Sequence, residues 1–135
     1  MLNTKNLEEY IKKEIKDKIP TLNLNRINFQ PVTDNCKEGI YVFSDKDKYL
    51  FVFTERGSIK EKKELYKKEE VLWLILDELI FEEAMKYTMG NRRDGENFRK
   101  VLFDKEIELF SKFGNDFKYR RISEINEILR NNPYL

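Results

Sequence analysis

The side chains able to do chemistry here are few, and most of the usual sets are incomplete. Histidine is absent, which removes Cys-His and Ser-His nucleophilic pairs in their usual forms and the commonest metal ligand. Cys36 is the only cysteine, so it cannot form a disulfide within the chain, and without a neighbouring base it reads as a small inert residue. Glu82 and Glu83 are adjacent carboxylates, but neighbours on a helix diverge by about 100° and do not converge on a substrate. No catalytic residues, metal site or cofactor site are therefore expected, and an enzyme is not expected.

A second chemistry is recognition by charge. Arg92, Arg93, Arg120 and Arg121, near Tyr87 and Tyr119, have the residue types of a nucleic-acid or anionic-ligand binding module. Against that alternative, 26 Lys+Arg are balanced by 25 Asp+Glu, so no net field draws in a polyanion or an anionic membrane. Binding to nucleic acid or membrane is not expected. Exposed carboxylates offer the opposite chemistry: Glu61, Glu64, Glu69 and Glu70 would complement a basic partner, or simply form a solvated stretch among lysines.

These residues need a frame. A chain of 135 residues, 38% charged and 40% hydrophobic, holds one core and is expected to be a single domain over 1–135. Ten phenylalanines, seven tyrosines and a tryptophan supply core material. The centre is Val71 to Phe81, where six consecutive apolar residues circle a helix and demand burial on every side. The charges at Asp77 and Glu78 stop it far short of a membrane span.

Leu7, Ile11, Ile15 and Ile19 predict an amphipathic helix over about Leu7 to Ile19, capped by Thr4 or Asn6 and ended by Pro20. A short strand is expected near Arg26 to Phe29, then a hairpin of Ile40 to Phe43 and Tyr49 to Phe53. Glu55-Arg56-Gly57 marks a turn, and Ser58 to Tyr66 a lysine-guarded edge strand. The central helix runs from about Lys68 to Met89 with Gly90 as its cap, and further helices cover Glu96 to Phe113 and about Asn115 to Asn131. Arg99 and Glu106 fall on the apolar arc of one of these helices and Arg121 on that of the next. Inward charges need partners, and Glu55 is the candidate for Arg99. The fold class is α+β: an N-terminal helix, a small mostly antiparallel sheet of three to four strands, then three C-terminal helices packed on it.

Glu55-Arg56-Gly57 at a strand end, the Trp73 helix, Asn97-Phe98-Arg99-Lys100-Val101-Leu102-Phe103 and the final Asn132-Pro133-Tyr134 together resemble family sixty-three of the immunity proteins of bacterial polymorphic toxin systems. The resemblance runs from about Ile40 onward. It rests on Glu55, Arg56, Gly57, Arg99, Phe103, Pro133 and Tyr134. The chain departs from the family pattern at Asn97, where an acid is usual, at Lys100, where a second arginine is, and at Glu106, where a glutamine is. The resemblance implies a protein that binds and neutralises a cognate toxin domain without catalysis of its own; separately, a single cysteine and an N-terminus without the basic-then-apolar pattern of a signal peptide lead us to expect a cytoplasmic location. The resemblance leaves open whether Glu55, Arg56 and Arg99 form a structural network or an interface, whether Arg92 and Arg93 touch the partner, and whether the chain self-associates.

Overall fold

The computed structural model describes residues 1–34 and 37–134, so the reading of Cys36 lies outside the described residues. The architecture is α+β, and the chain divides into two compact units, Met1–Ile75 and Leu76–Leu135.

In the first unit, helix α1 (Thr4–Lys18) buries Leu7, Ile11 and Ile15 along one stripe, as its four-residue period requires. Its cap is Asn3, not Thr4 or Asn6: the Asn3 side chain accepts from the Asn6 amide at 2.8 Å. Thr4 instead ties the helix to the sheet, its hydroxyl oxygen accepting from the Ser44 amide at 3.0 Å. The Ser44 hydroxyl donates to the Leu2 carbonyl, and the Leu2 amide donates to the Tyr49 hydroxyl at 2.9 Å. The first residues are thereby fixed to strands that follow forty positions later.

The sheet has the order β1 (Ile27–Asn28), β2 (Gly39–Asp45), β3 (Lys48–Glu55), β4 (Ser58–Leu65). Its longer pairings are antiparallel, while two-residue β1 runs parallel to β2, so the sheet is mixed. Consecutive residues Ile40 to Val42 and Tyr49 to Val52 are buried on both sheet faces, which is why these strands read as unbroken apolar runs. β4 is the reverse: Ser58 to Glu64 are all exposed and Leu65 is half-buried.

Helix α2 (Lys68–Asn91) begins in the first unit and continues into the second. Val71, Leu72, Trp73, Ile75, Leu76, Leu79 and Ile80 are buried, while Leu74, in the run expected to be covered on every side, is only half-buried. Phe81, expected inside, is 46% exposed and ends the buried run. Gly90 does not cap the helix, which carries on to Asn91.

In the second unit α2 is followed by α3 (Phe98–Ser111) and α4 (Asn115–Asn131). Ala84, Leu102, Phe103 and Ile125 form its core, with Met85, Ile107, Leu129 and Tyr134 packed against them. α3 and α4 are joined at Gly114, whose φ of 108° is open to glycine and strained for other residues. Of the apolar arc expected on α4, Ile125 is buried, whereas Ile128 is 42% exposed.

Candidate functional site

Glu55-Arg56-Gly57 is a hairpin turn. Glu55 pairs with Ser58 across β3 and β4, leaving Arg56 and Gly57 as a two-residue loop with φ of 52° and 78°. Positive φ at both central positions is the signature of the type I′ turn, whose twist matches that of the flanking strands. The Ser58 hydroxyl donates to the Glu55 carbonyl at 3.2 Å. The glycine is thus explained by backbone geometry, whereas an arginine at a positive φ is not a choice the turn favours. Beside the loop lies a depression of about 410 Å³ bounded by Asp34, Thr54, Ser58 and Ile59, among others.

The segment from Asn97 starts α3 and holds the C-terminal residues. The Asn97 side chain accepts from the Lys100 amide at 3.1 Å, the N-cap bond that aspartate makes equally well, so the departure from the family pattern at this position preserves the cap. Lys100 is exposed and paired with Asp104 at 3.1 Å. Arg99 donates to the Pro133 carbonyl at 2.9 Å, and its guanidinium carbon lies 5.4 Å from the centre of the Tyr134 ring. Tyr134 in turn sits 6.4 Å from the Phe103 ring. Arg99, Phe103, Pro133 and Tyr134 make one clasp. The partners found for Arg99 are therefore Pro133 and Tyr134, both in the second unit; its proposed partner Glu55 belongs to the first.

The third feature is an ion cluster between helices of the second unit. Glu106, buried to 1% exposure, accepts from Arg121, whose side chain is 14% exposed. The same guanidinium reaches Glu124 at 2.8 Å and Asp77 at 3.2 Å and lies over the Phe110 ring at 5.4 Å. Burial pushes the Glu106 carboxyl above its ordinary range, Arg121 pulls it back, and Asp77 and Glu124 push it up again. For Arg121, burial is the largest influence and works against the charge, but the carboxylates of Glu106, Glu124 and Asp77 together outweigh it and hold the guanidinium protonated. Its Nε is buried without a hydrogen-bond partner. Helical period had placed Glu106 and Arg121 on their apolar arcs separately. Period alone does not say that they meet, nor that Asp77, the first charge after the all-apolar run of α2, and Glu124 join them.

The sequence-derived contact residues spread over both units. Glu61 and Glu64 lie on β4, paired with Lys63 at 3.0 Å and Lys48 at 3.2 Å. At the start of α2, Glu69 is exposed and Glu70 half-buried. Near Glu69 and Glu14, the half-buried Tyr10 phenol is pushed up to about 12, chiefly by burial. Arg92 and Arg93 are exposed after α2, where Arg92 donates to the Glu96 carbonyl at 2.9 Å and the Arg93 amide to the Glu96 carboxylate at 2.7 Å. Arg121 faces three carboxylates, a poor setting for a phosphate. Among the described residues no three His, Cys, Asp or Glu side chains are grouped to hold a metal, and no helix is long and apolar enough to cross a membrane.

A family model described as Immunity protein 63 matches residues 45–127. The matched span takes in the β3–β4 turn, α2, α3 and most of α4, and with them Glu106 and Arg121; α1 and the Pro133-Tyr134 end of the clasp fall outside it. No curated protein and no solved structure matches the chain.

Proposed function

The chain belongs to the Immunity protein 63 family, and on that premise we propose that it binds and neutralises a cognate toxin domain, acting in the cytoplasm as a single immunity domain without catalysis of its own. The family match over residues 45–127 is the observation that carries this reading.

Inhibition by binding asks for an exposed, chemically specific surface and a rigid body behind it, not for a reactive group. The exposed Glu61, Glu64 and Glu69 and half-buried Glu70 are the proposed contacts to a basic toxin surface, with Arg92 and Arg93 as a further set. Glu55, Arg56, Gly57, Arg99, Phe103 and Glu106 are proposed as the frame that holds those surfaces in place. In that role they act on affinity only through stability.

The test is growth of cells expressing the C-terminal domain of the large protein encoded beside this gene, with and without this chain, followed by co-purification. Rescue with a stable complex is expected. Toxicity that persists with this chain well expressed, and no complex, would overturn the reading.

A further inference from the structure

Lysine outnumbers arginine 18 to 8 in this chain, so where an arginine stands, the planar fork and not charge alone is the property to account for. Most of the eight have a structural partner. Arg92 holds the Glu96 carbonyl, Arg99 the Pro133 carbonyl, Arg121 its carboxylates and Arg130 Glu127, while Arg26 and Arg120 are engaged as well. Among the described residues, only the guanidinium groups of Arg56 and Arg93 are without a partner. Arg56 belongs to the β3–β4 turn. Arg93 lies in the loop between α2 and α3.

That loop is bonded from within. The Arg92 amide donates to the Thr88 carbonyl at 2.9 Å, the Glu96 amide to the Arg93 carbonyl at 3.1 Å, and the Val101 amide to the Asn97 carbonyl at 3.2 Å. The Arg93 amide holds the Glu96 carboxylate at 2.7 Å, and Asn97 caps α3. Glu96 thus serves the backbone and Arg92 a carbonyl, while the exposed Arg93 side chain serves neither. A free fork on a fixed backbone loses little freedom when a partner binds.

Large apolar side chains stand at both ends of the same loop. Met89, in the last turn of α2, is 75% exposed, more than any other large apolar side chain among the described residues, and Phe98, the first residue of α3, is exposed too. Methionine, aromatics and arginine are the residues that interfaces concentrate. Resting on the immunity reading, we propose that the α2–α3 corner is the surface that grips the toxin, Arg93 taking a toxin carboxylate and Met89 and Phe98 lying against apolar surface beside it. Asp94 and Glu96 adjoin Arg93, a setting that admits one carboxylate through two parallel bonds but repels a chain of phosphates. The whole corner lies within the span matched by the family model.

The test is the dissociation constant between the whole chain and the toxin domain used in the growth rescue, at fixed salt. Arg93→Glu is expected to weaken the complex about a hundredfold and Met89→Asp about tenfold, both with the wild-type melting temperature. Arg93→Lys should lose about tenfold, because an ammonium keeps the charge without the fork. Peroxide oxidation of Met89 should slow when the toxin domain is added. A wild-type chain that forms no complex overturns the immunity reading and this surface with it. A tight complex that Arg93→Glu and Met89→Asp leave unchanged overturns this surface alone, as does Met89 oxidation indifferent to the toxin, or Arg93→Lys binding as tightly as wild type. Binding of single-stranded DNA, or of a second copy of the chain, that Arg93→Glu abolishes would overturn the proposal in favour of that partner.

Discussion

Arg121 on α4 donates to the buried carboxylate of Glu106 on α3, so each of the two helices presents an inward charge and each charge answers the other. Asp77 brings α2 to the same guanidinium, and one arginine links all three helices of the second unit. A buried pair of this kind is a weak source of net stability but an expensive one to break, because the survivor stays desolvated.

Arg121→Met is therefore expected to cost about 3–5 kcal/mol at neutral pH, since it leaves Glu106 buried without a cation. Glu106→Gln in the same chain removes the stranded charge and should recover most of that loss. Urea unfolding of the two single variants and the double variant measures the coupling. Additive losses would mean that the pair contributes nothing as a pair.

The pH dependence has a definite sign. Burial raises the Glu106 carboxyl above its ordinary 4.5, so the folded state holds this proton more tightly than the unfolded chain. The stability it contributes is complete below the ordinary value and is lost as pH rises through the raised folded value. Arg121 stays protonated throughout. Wild type should gain stability relative to Glu106→Gln as pH falls from neutral towards 4.5. The difference between the two unfolding free energies, measured at several pH values, checks this; a difference that shrinks on acidification would show that Arg121 wins and holds the carboxylate ionised.

Arg99→Ala removes a charge-assisted bond to the Pro133 carbonyl and the guanidinium over Tyr134. The contact is exposed, and its loss should cost about 1–2 kcal/mol. Amide exchange at Asn132 and Tyr134, the two residues flanking Pro133 that carry an N–H, should accelerate far more than exchange in α1. If the melting temperature and C-terminal exchange are unchanged while toxin binding is lost, Arg99 is a contact residue and the clasp is incidental.

What the sequence made legible was whatever depends on period and local chemistry. The every-fourth-residue isoleucines of α1, the unbroken apolar runs of β2 and β3 and the charged β4 edge all state their burial directly. The same period exposed Glu106 and Arg121 as charges in the wrong place. Partners were another matter. Arg99 ends on a carbonyl 34 residues away, and a backbone carbonyl carries no signature in the sequence. Asn3, Thr4 and Asn6 are all acceptable caps by residue type, and only the bond to Ser44 shows why Thr4 is occupied elsewhere. Phe81 reads as core by hydropathy, yet it is exposed.

The turn at Arg56-Gly57 separates a structural motif from a binding one. Both residues sit at positive φ, 52° and 78°, and a Cβ added at Gly57 would meet nothing within 4 Å. Gly57→Ala should therefore cost only backbone strain, about 1–2 kcal/mol, with no clash to repair. Arg56 bears a similar strain for no gain to the turn, and Arg56→Asn should stabilise the hairpin by roughly 1 kcal/mol, because asparagine tolerates this conformation. Thermal unfolding measures both. Toxin affinity then tells the two roles apart: a merely structural arginine predicts that Arg56→Asn melts higher and binds as before, whereas a higher melting temperature with weakened binding would mean that the arginine is kept, against its own backbone preference, for the partner it touches.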